Sequence, residues 1–179
     1  MLFRSAGLRT FVPHTHCAAV PAEVLAQVSS AEELGRPLLN EGWALLLPRP
    51  DEGDVAEADA ADVLRVTWRA LFHASIDRSL MIDARAGRLG RERMLAIVDQ
   101  LGQLPMDEAR TVLGEEGLTG VGSDAVCELV ELVATWYELQ IFAPEHLARW
   151  FPSLVGRAEV QALFDTLVPA TALLGQTRL

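Results

Sequence analysis

Residues 124–142 read DAVCELVELVATWYELQIF, and this stretch decides the fold class. Its polar side chains recur at steps of four, three, four and three residues, and they are Asp124, Glu128, Glu131, Thr135 and Glu138. These steps place them on one narrow stripe of an α-helix, while nearly every other position is apolar. The sequence therefore predicts a helix that is wet along one edge and buried around most of its girth.

A second long helix is predicted over residues 55–86, where apolar side chains again follow the helical period. Its polar edge consists of Asp62, Arg65, Arg69, His73 and Asp77. Two glycines, Gly87 and Gly90, follow the last apolar position, and glycine commonly ends helices. We therefore expect two long helices, each with a thin polar edge.

Shorter helical patterns fill the rest of the chain, at residues 91–101, 105–116, 145–151 and 158–168. Glycine or proline separates them, and no strand–helix–strand rhythm appears. The predicted fold class is all-α, a single compact bundle of about six to seven helices with a less regular N-terminal segment.

Three regions are predicted along the chain. Residues 1–50 form an irregular unit with short helices that packs on the body, and residues 54–168 form the main bundle. The boundary is placed at Pro48–Gly53, where proline, glycine and charge occur together. Residues 169–179 are predicted to be a C-terminal tail. The apolar run 43–47 is a strand, an extended segment that crosses the core or a helical piece, since period does not decide so short a stretch.

The composition excludes several classes of protein. Half of the 179 residues are hydrophobic and the mean hydropathy is +0.21, so intrinsic disorder is excluded. No stretch is long and apolar enough for a membrane-spanning helix. The two cysteines, Cys17 and Cys127, form no CxxC pair, which favours reduced thiols and a cytoplasmic location. Cys127 is interpreted as a small core residue.

The charge points to a protein partner. The formal net charge is −10, which disfavours nucleic acid as a partner because phosphate backbones repel an acidic chain. All 15 basic residues are arginine, and lysine is absent. Two acidic blocks, 23–62 and 94–148, flank a basic stretch at 63–93. That stretch either neutralises neighbours within the fold or docks an acidic partner.

Candidate metal ligands occur in two places. His14, His16 and Cys17 lie close together, and on a strand both imidazoles would face one side. His73 and Asp77, four residues apart, share a helix face, where Asp77 could orient the imidazole for base or metal chemistry. We interpret the second pair as an exposed pair on the charged edge, and we predict no metal and no cofactor.

Candidate partner-binding residues are the arginines around the two glycines, namely Arg85, Arg88, Arg91 and Arg93, together with Trp150 and Phe151. Arginine is frequent at protein interfaces, and a loop with several of them suits an acidic surface. An exposed Trp150–Phe151 pair would add an apolar contact.

No catalytic residue is assigned, because the sequence lacks GxSxG, HExxH and CxxC motifs. The predicted function is a non-catalytic helical protein–protein interaction or assembly module, either a homo-oligomer or a subunit of a larger bacterial-type complex. The alternative is a small α-helical metal- or ligand-binding bundle, which extends to a metal-dependent hydrolase. It would use some of six residues: His14, His16, His73, Asp77, Glu131 and His146.

Overall fold

Eight helices and one two-stranded sheet make up the part of the chain that the computed structural model describes, residues 18–27, 42–46, 59–119 and 122–178. The elements in chain order are β1 Ala18–Pro21, α1 Ala22–Leu25, β2 Trp43–Leu46, α2 Ala60–Arg85, α3 Arg91–Leu101, α4 Gln103–Glu115, α5 Ala125–Phe142, α6 Pro144–Trp150, α7 Ala158–Asp165 and α8 Ala170–Thr177. The prediction of an all-α bundle with an irregular N-terminal part is confirmed.

The centre of the bundle is the antiparallel pair α2 and α5. Arg69 on α2 pairs with Glu138 on α5, and His73, one turn further along α2, also reaches Glu131, two turns earlier on α5. Helices α3, α4 and α6 also contact α5, so α5 is surrounded by neighbours. This explains why a helix with so few polar positions is stable in this fold.

The start of α5 is held by Asp124. Its carboxylate accepts hydrogen bonds from the backbone N–H groups of Val126 and Cys127, at 3.0 and 2.9 Å. Arg91, at the start of α3, lies 2.7 Å from the other carboxylate oxygen. These contacts, first the Cys127 N–H and then Arg91, lower the pKa of Asp124 to about 2. The N-cap thus also ties α3 to α5.

The N-terminal strands pack on α2. Strands β1 and β2 are antiparallel, with Ala18 opposite Leu46, and both contact α2. The Arg85 guanidinium lies 4.7 Å from the centre of the Trp43 ring. The undecided run 43–47 is therefore a strand over 43–46, while the predicted boundary at 48–53 lies outside the described residues.

The C-terminal stretch predicted as a tail contains helix α8, which packs on α2. The Trp68 indole Nε1 donates to Thr177 Oγ1 at 3.3 Å. Trp68 also meets Phe142 edge to face, with ring centres 5.1 Å apart. Residues 170–177 are therefore part of the bundle.

Two expectations about exposure are wrong. Trp150 and Phe151 are buried, and Phe151 has 0% of its surface exposed because its ring lies against those of Trp136 and Trp150. They are core residues and offer no exposed contact to a partner. Cys127 is exposed instead of buried, since it lies in the first turn of α5.

Among the described residues, no helix combines the length and apolar character that crossing a bilayer requires.

We expect Phe151→Ala to lower the free energy of unfolding by about 3–5 kcal/mol, because it leaves a cavity in the core. Leu104→Ala is the control, since Leu104 is 71% exposed and its truncation is expected to cost less than about 0.5 kcal/mol. Urea unfolding followed by tryptophan fluorescence and circular dichroism measures both. Equal small losses would contradict the burial of Phe151.

Candidate functional site

Five charged side chains meet at the interface of α2 and α5. Arg69, His73 and Asp77 follow each other at steps of four on α2, so they share one face, and Glu131 and Glu138 lie two turns apart on α5. We call this set the charged cluster. Four of its members are buried, and Glu131 is the exception, with 25% of its side chain exposed.

His73 lies at the centre of the charged cluster. Its Nδ1 is 2.7 Å from Glu138 Oε2, while its Nε2 faces the other carboxylates, 3.4 Å from Glu131 Oε2 and 3.6 Å from Asp77 Oδ2. Arg69 Nε donates to the second oxygen of Glu138. Glu138 therefore accepts hydrogen bonds on both oxygens and orients the imidazole.

Three of these residues form a possible ligand set for a metal ion. One ligand atom from each of His73, Asp77 and Glu131 lies within 4.8 Å of the other two. No other group of three histidine, cysteine or carboxylate side chains in the described ranges meets this spacing. The imidazole nitrogen that faces both carboxylates is Nε2, because Nδ1 lies against Glu138.

The electrostatics of the cluster favour binding of positive charge. Burial by itself lowers the pKa of His73, but Asp77, Glu131 and Glu138 together raise it well above its ordinary value. Burial raises the pKa of Asp77 to about 7, and the carboxylates of Glu131 and Glu138 add to this against the opposing effect of His73. Three carboxylates thus outnumber the two basic groups in a buried place.

Two buried polar atoms here have no hydrogen-bond partner among the described residues. They are Asp77 Oδ1 and Thr135 Oγ1. Asp77 has 7% of its surface exposed and Thr135 has 2%, so water from the bulk solvent reaches neither side chain freely. A buried polar atom without a partner costs about 1–3 kcal/mol, so such atoms need an explanation.

The polar edge of α5 is not the wet edge that the spacing suggested. Glu128, Thr135 and Glu138 are buried, because α2 and α4 cover this side of the helix. Arg110 on α4 pairs with Glu128 through two hydrogen bonds of 2.7 and 3.0 Å. The interpretation of His73 and Asp77 as an exposed pair is wrong for the same reason: this edge of α2 lies against α5.

The predicted partner-binding arginines lie at the surface, three of them in separate ion pairs and Arg93 on a backbone carbonyl. Arg85 pairs with Glu23 at 3.1 Å, Arg88 with Asp83, and Arg91 with Asp124 at 2.7 Å. Arg93 Nη2 donates to the carbonyl of Thr166 at 3.4 Å. Each contact joins neighbouring elements or turns. This agrees with the first role predicted for the basic stretch 63–93, which is to neutralise neighbours within the fold. A role in binding a partner stays a prediction.

Of the remaining metal candidates, only His146 lies among the described residues. His146 lies on α6, with its Nε2 3.5 Å from the adjacent Glu145, and it is not in the ligand set. His14, His16 and Cys17 lie outside the described residues.

Arg69, Thr135 and Glu138 are site residues that the sequence reasoning did not identify. The signal was present in the steps of four from Arg69 to Asp77 and the step of seven from Glu131 to Glu138. Each step defines a stripe on its own helix. Nothing local states that the two stripes face each other.

Comparison with protein-family models, curated proteins and solved structures found no match to this chain.

We expect the metal-free protein to lose stability as pH rises. Asp77 has a raised pKa, so folding favours its protonated form, and ionisation between about pH 4 and pH 7 destabilises the fold. His73 acts in the same direction, because the stability from its raised pKa is lost as pH rises through the folded value. The other charged groups facing Asp77 are Glu131 and Glu138, with Arg69 behind them.

The test compares the unmodified protein with Asp77→Asn. The free energy of unfolding of each is measured by urea unfolding at about pH 5 and about pH 8, with a chelator present. The variant removes the titrating carboxylate, so its stability relative to the unmodified protein should be higher at pH 8 than at pH 5. A difference that is the same at both pH values would contradict the assignment.

Proposed function

We propose that this protein is a helical metal-binding protein, with a divalent transition-metal ion held between α2 and α5 by His73, Asp77 and Glu131. The observation that carries the proposal is that one nitrogen and two carboxylate oxygens from these residues lie within 4.8 Å of one another. Donor sets of this kind suit Zn²⁺, Mn²⁺ or Fe²⁺.

The charge balance supports this proposal. Asp77, Glu131 and Glu138 carry three negative charges when ionised, and Arg69 supplies one positive charge. A divalent ion bound to a neutral imidazole adds two more positive charges and makes the cluster neutral. Buried charges are tolerated when they are paired or coordinate a metal, and here the ion would replace protons on His73 and Asp77.

The orientation of His73 also supports the proposal. Ligating histidines commonly donate their second ring N–H to a carboxylate, which fixes the tautomer and the ring plane. Glu138 Oε2 lies 2.7 Å from His73 Nδ1, and a proton on Nδ1 leaves the Nε2 lone pair directed at Asp77 and Glu131. Arg69 holds Glu138 in turn.

The partial exposure of Glu131 gives the cluster an edge towards solvent, through which an ion can enter. Three protein ligands leave at least one coordination position for water or a substrate, as in catalytic metal sites. A bound ion would supply Lewis acidity and a more acidic water. If the protein is an enzyme, we therefore expect it to be a metal-dependent hydrolase. Hydrolytic activity stays a prediction.

The interaction or assembly module predicted from composition stays a prediction. That prediction assumed that apolar surface is left over after folding. Much of the apolar content in the described residues packs into one core around α5, which weakens this assumption. Light scattering of the purified chain at several concentrations measures the oligomeric state that this prediction concerns.

Metal binding is tested by equilibrium dialysis against Zn²⁺ and Mn²⁺, with elemental analysis of the dialysed protein. We expect about one equivalent bound and a free energy of unfolding raised by about 2.7 kcal/mol when the free ion is at a hundred times Kd. His73→Gln and Glu131→Gln should abolish both effects. His146→Gln and Glu159→Gln are matched controls outside the ligand set and should keep them.

Glu138→Gln separates ligands from the residue that orients them. This variant keeps the ligand set, so it should still bind metal, with an affinity about 10–100-fold lower. If the unmodified protein binds no ion, or if the control variants lose binding to the same extent as His73→Gln, the proposal is wrong.

A further inference from the structure

Thr135 differs from other hydroxyl residues in the helices of this protein. The hydroxyls of Thr67, Ser75, Thr111 and Thr177 each donate to the backbone carbonyl four residues earlier, at 2.7–3.0 Å. This is the usual way for a helical threonine to satisfy its hydroxyl. Thr135 Oγ1 has no such bond and no other partner among the described residues, although Thr135 is 2% exposed.

The position of Thr135 places it beside the proposed ligands. It lies one turn after Glu131 and three residues before Glu138, on the same stripe of α5. His73 contacts both of these glutamates across the antiparallel pair, so the turn that carries Thr135 is level with His73. The unsatisfied hydroxyl therefore belongs to the same interface as the charged cluster.

Asp77 Oδ1 is the second unsatisfied atom of this interface. The other oxygen of Asp77, Oδ2, is the one near His73 Nε2, at 3.6 Å. A hydroxyl can donate a hydrogen bond, and a carboxylate oxygen accepts one. A small group that both accepts and donates would satisfy the two atoms together.

The chemistry of the surroundings narrows this group to water. A free phosphate or carboxylate would place further negative charge beside three carboxylates, Asp77, Glu131 and Glu138, and a carboxylate would offer Asp77 Oδ1 no proton. A water molecule on the ion can donate to Asp77 and accept from Thr135. Water is retained in a buried place when it has two to four polar partners. Here the partners would be Asp77, Thr135 and the metal ion.

We infer that Thr135 Oγ1 and Asp77 Oδ1 hold an exchangeable water molecule on the metal ion, which makes Thr135 the positioning residue for that water. The inference rests on the proposed metal site. It adds a bound water molecule to the three protein ligands of that site, and it assigns a positioning role to Thr135, which is not itself a ligand.

The test uses full-length protein loaded with Mn²⁺, with electron spin echo measurements in deuterated water to count the water bound to the ion. The unmodified protein should show bound water. Thr135→Val, which has nearly the same shape and no hydroxyl, should lose one bound water while its Mn²⁺ affinity changes less than about threefold, the scale of a weak neutral hydrogen bond. Thr135→Ser should retain the water.

Thr111→Val is the matched control, because Thr111 is an exposed helical threonine with an ordinary bond to the carbonyl of Asp107. It should leave the water count unchanged. Thr135→Val should fold at least as well as the unmodified protein, since it removes a buried hydroxyl without a partner. If it fails to fold, Thr135→Ser against Thr135→Ala gives the same comparison.

Two results would overturn the inference, and they differ in what else they affect. If Mn²⁺ binds and Thr135→Val keeps every bound water, the role of Thr135 is wrong while the metal site stands. If Mn²⁺ does not bind and Zn²⁺ does not bind either, the proposed function fails and this inference fails with it.

Discussion

The contact between His73 and Glu138 across the α2–α5 interface is the interaction on which this structure depends most. It joins the centre of α2 to the C-terminal half of α5, the two longest helices among the described residues, and Arg69 completes it from the α2 side. Removing one member of such a buried pair leaves an uncompensated charge, which commonly costs about 3–5 kcal/mol. The antiparallel register of α2 and α5 follows from this contact, because one helical turn of slippage would separate the charges.

A buried charged cluster is not the most stable way to fill a helix interface. Apolar residues of similar volume often pack there with equal or greater stability, so such a cluster is weak evidence for stability and better evidence for a function. The excess of carboxylates, the raised pKa values of His73 and Asp77 and the two unsatisfied oxygens are the observations that support the proposed metal site. The ion pair of Arg110 and Glu128 on the neighbouring side of α5 leaves neither carboxylate oxygen of Glu128 without a partner and fits a structural role.

Helix existence and type were largely predictable, since they rest on local periodicity. The bounds of α3 and α5 agree with the sequence within one residue. The N-terminal unit was less predictable, because a strand such as Trp43–Leu46 exists only through its pairing with a distant segment. Trp150 and Phe151 were placed wrongly for a related reason: a short helix next to proline has no long-range pattern, and its burial depends on contacts with Trp136 and other core residues.

The polar stripes of α2 and α5 show which features follow from the local sequence and which depend on the tertiary structure. Spacing along the chain was sufficient to place Glu131, Thr135 and Glu138 on one side of a helix, and His73 and Asp77 on one side of another. Spacing favoured solvent as the environment of both stripes, since polar edges usually face water. The tertiary structure turned the stripes towards each other. Charges of both signs on the facing surfaces can satisfy one another when the helices pack, and only the three-dimensional arrangement decides that they do.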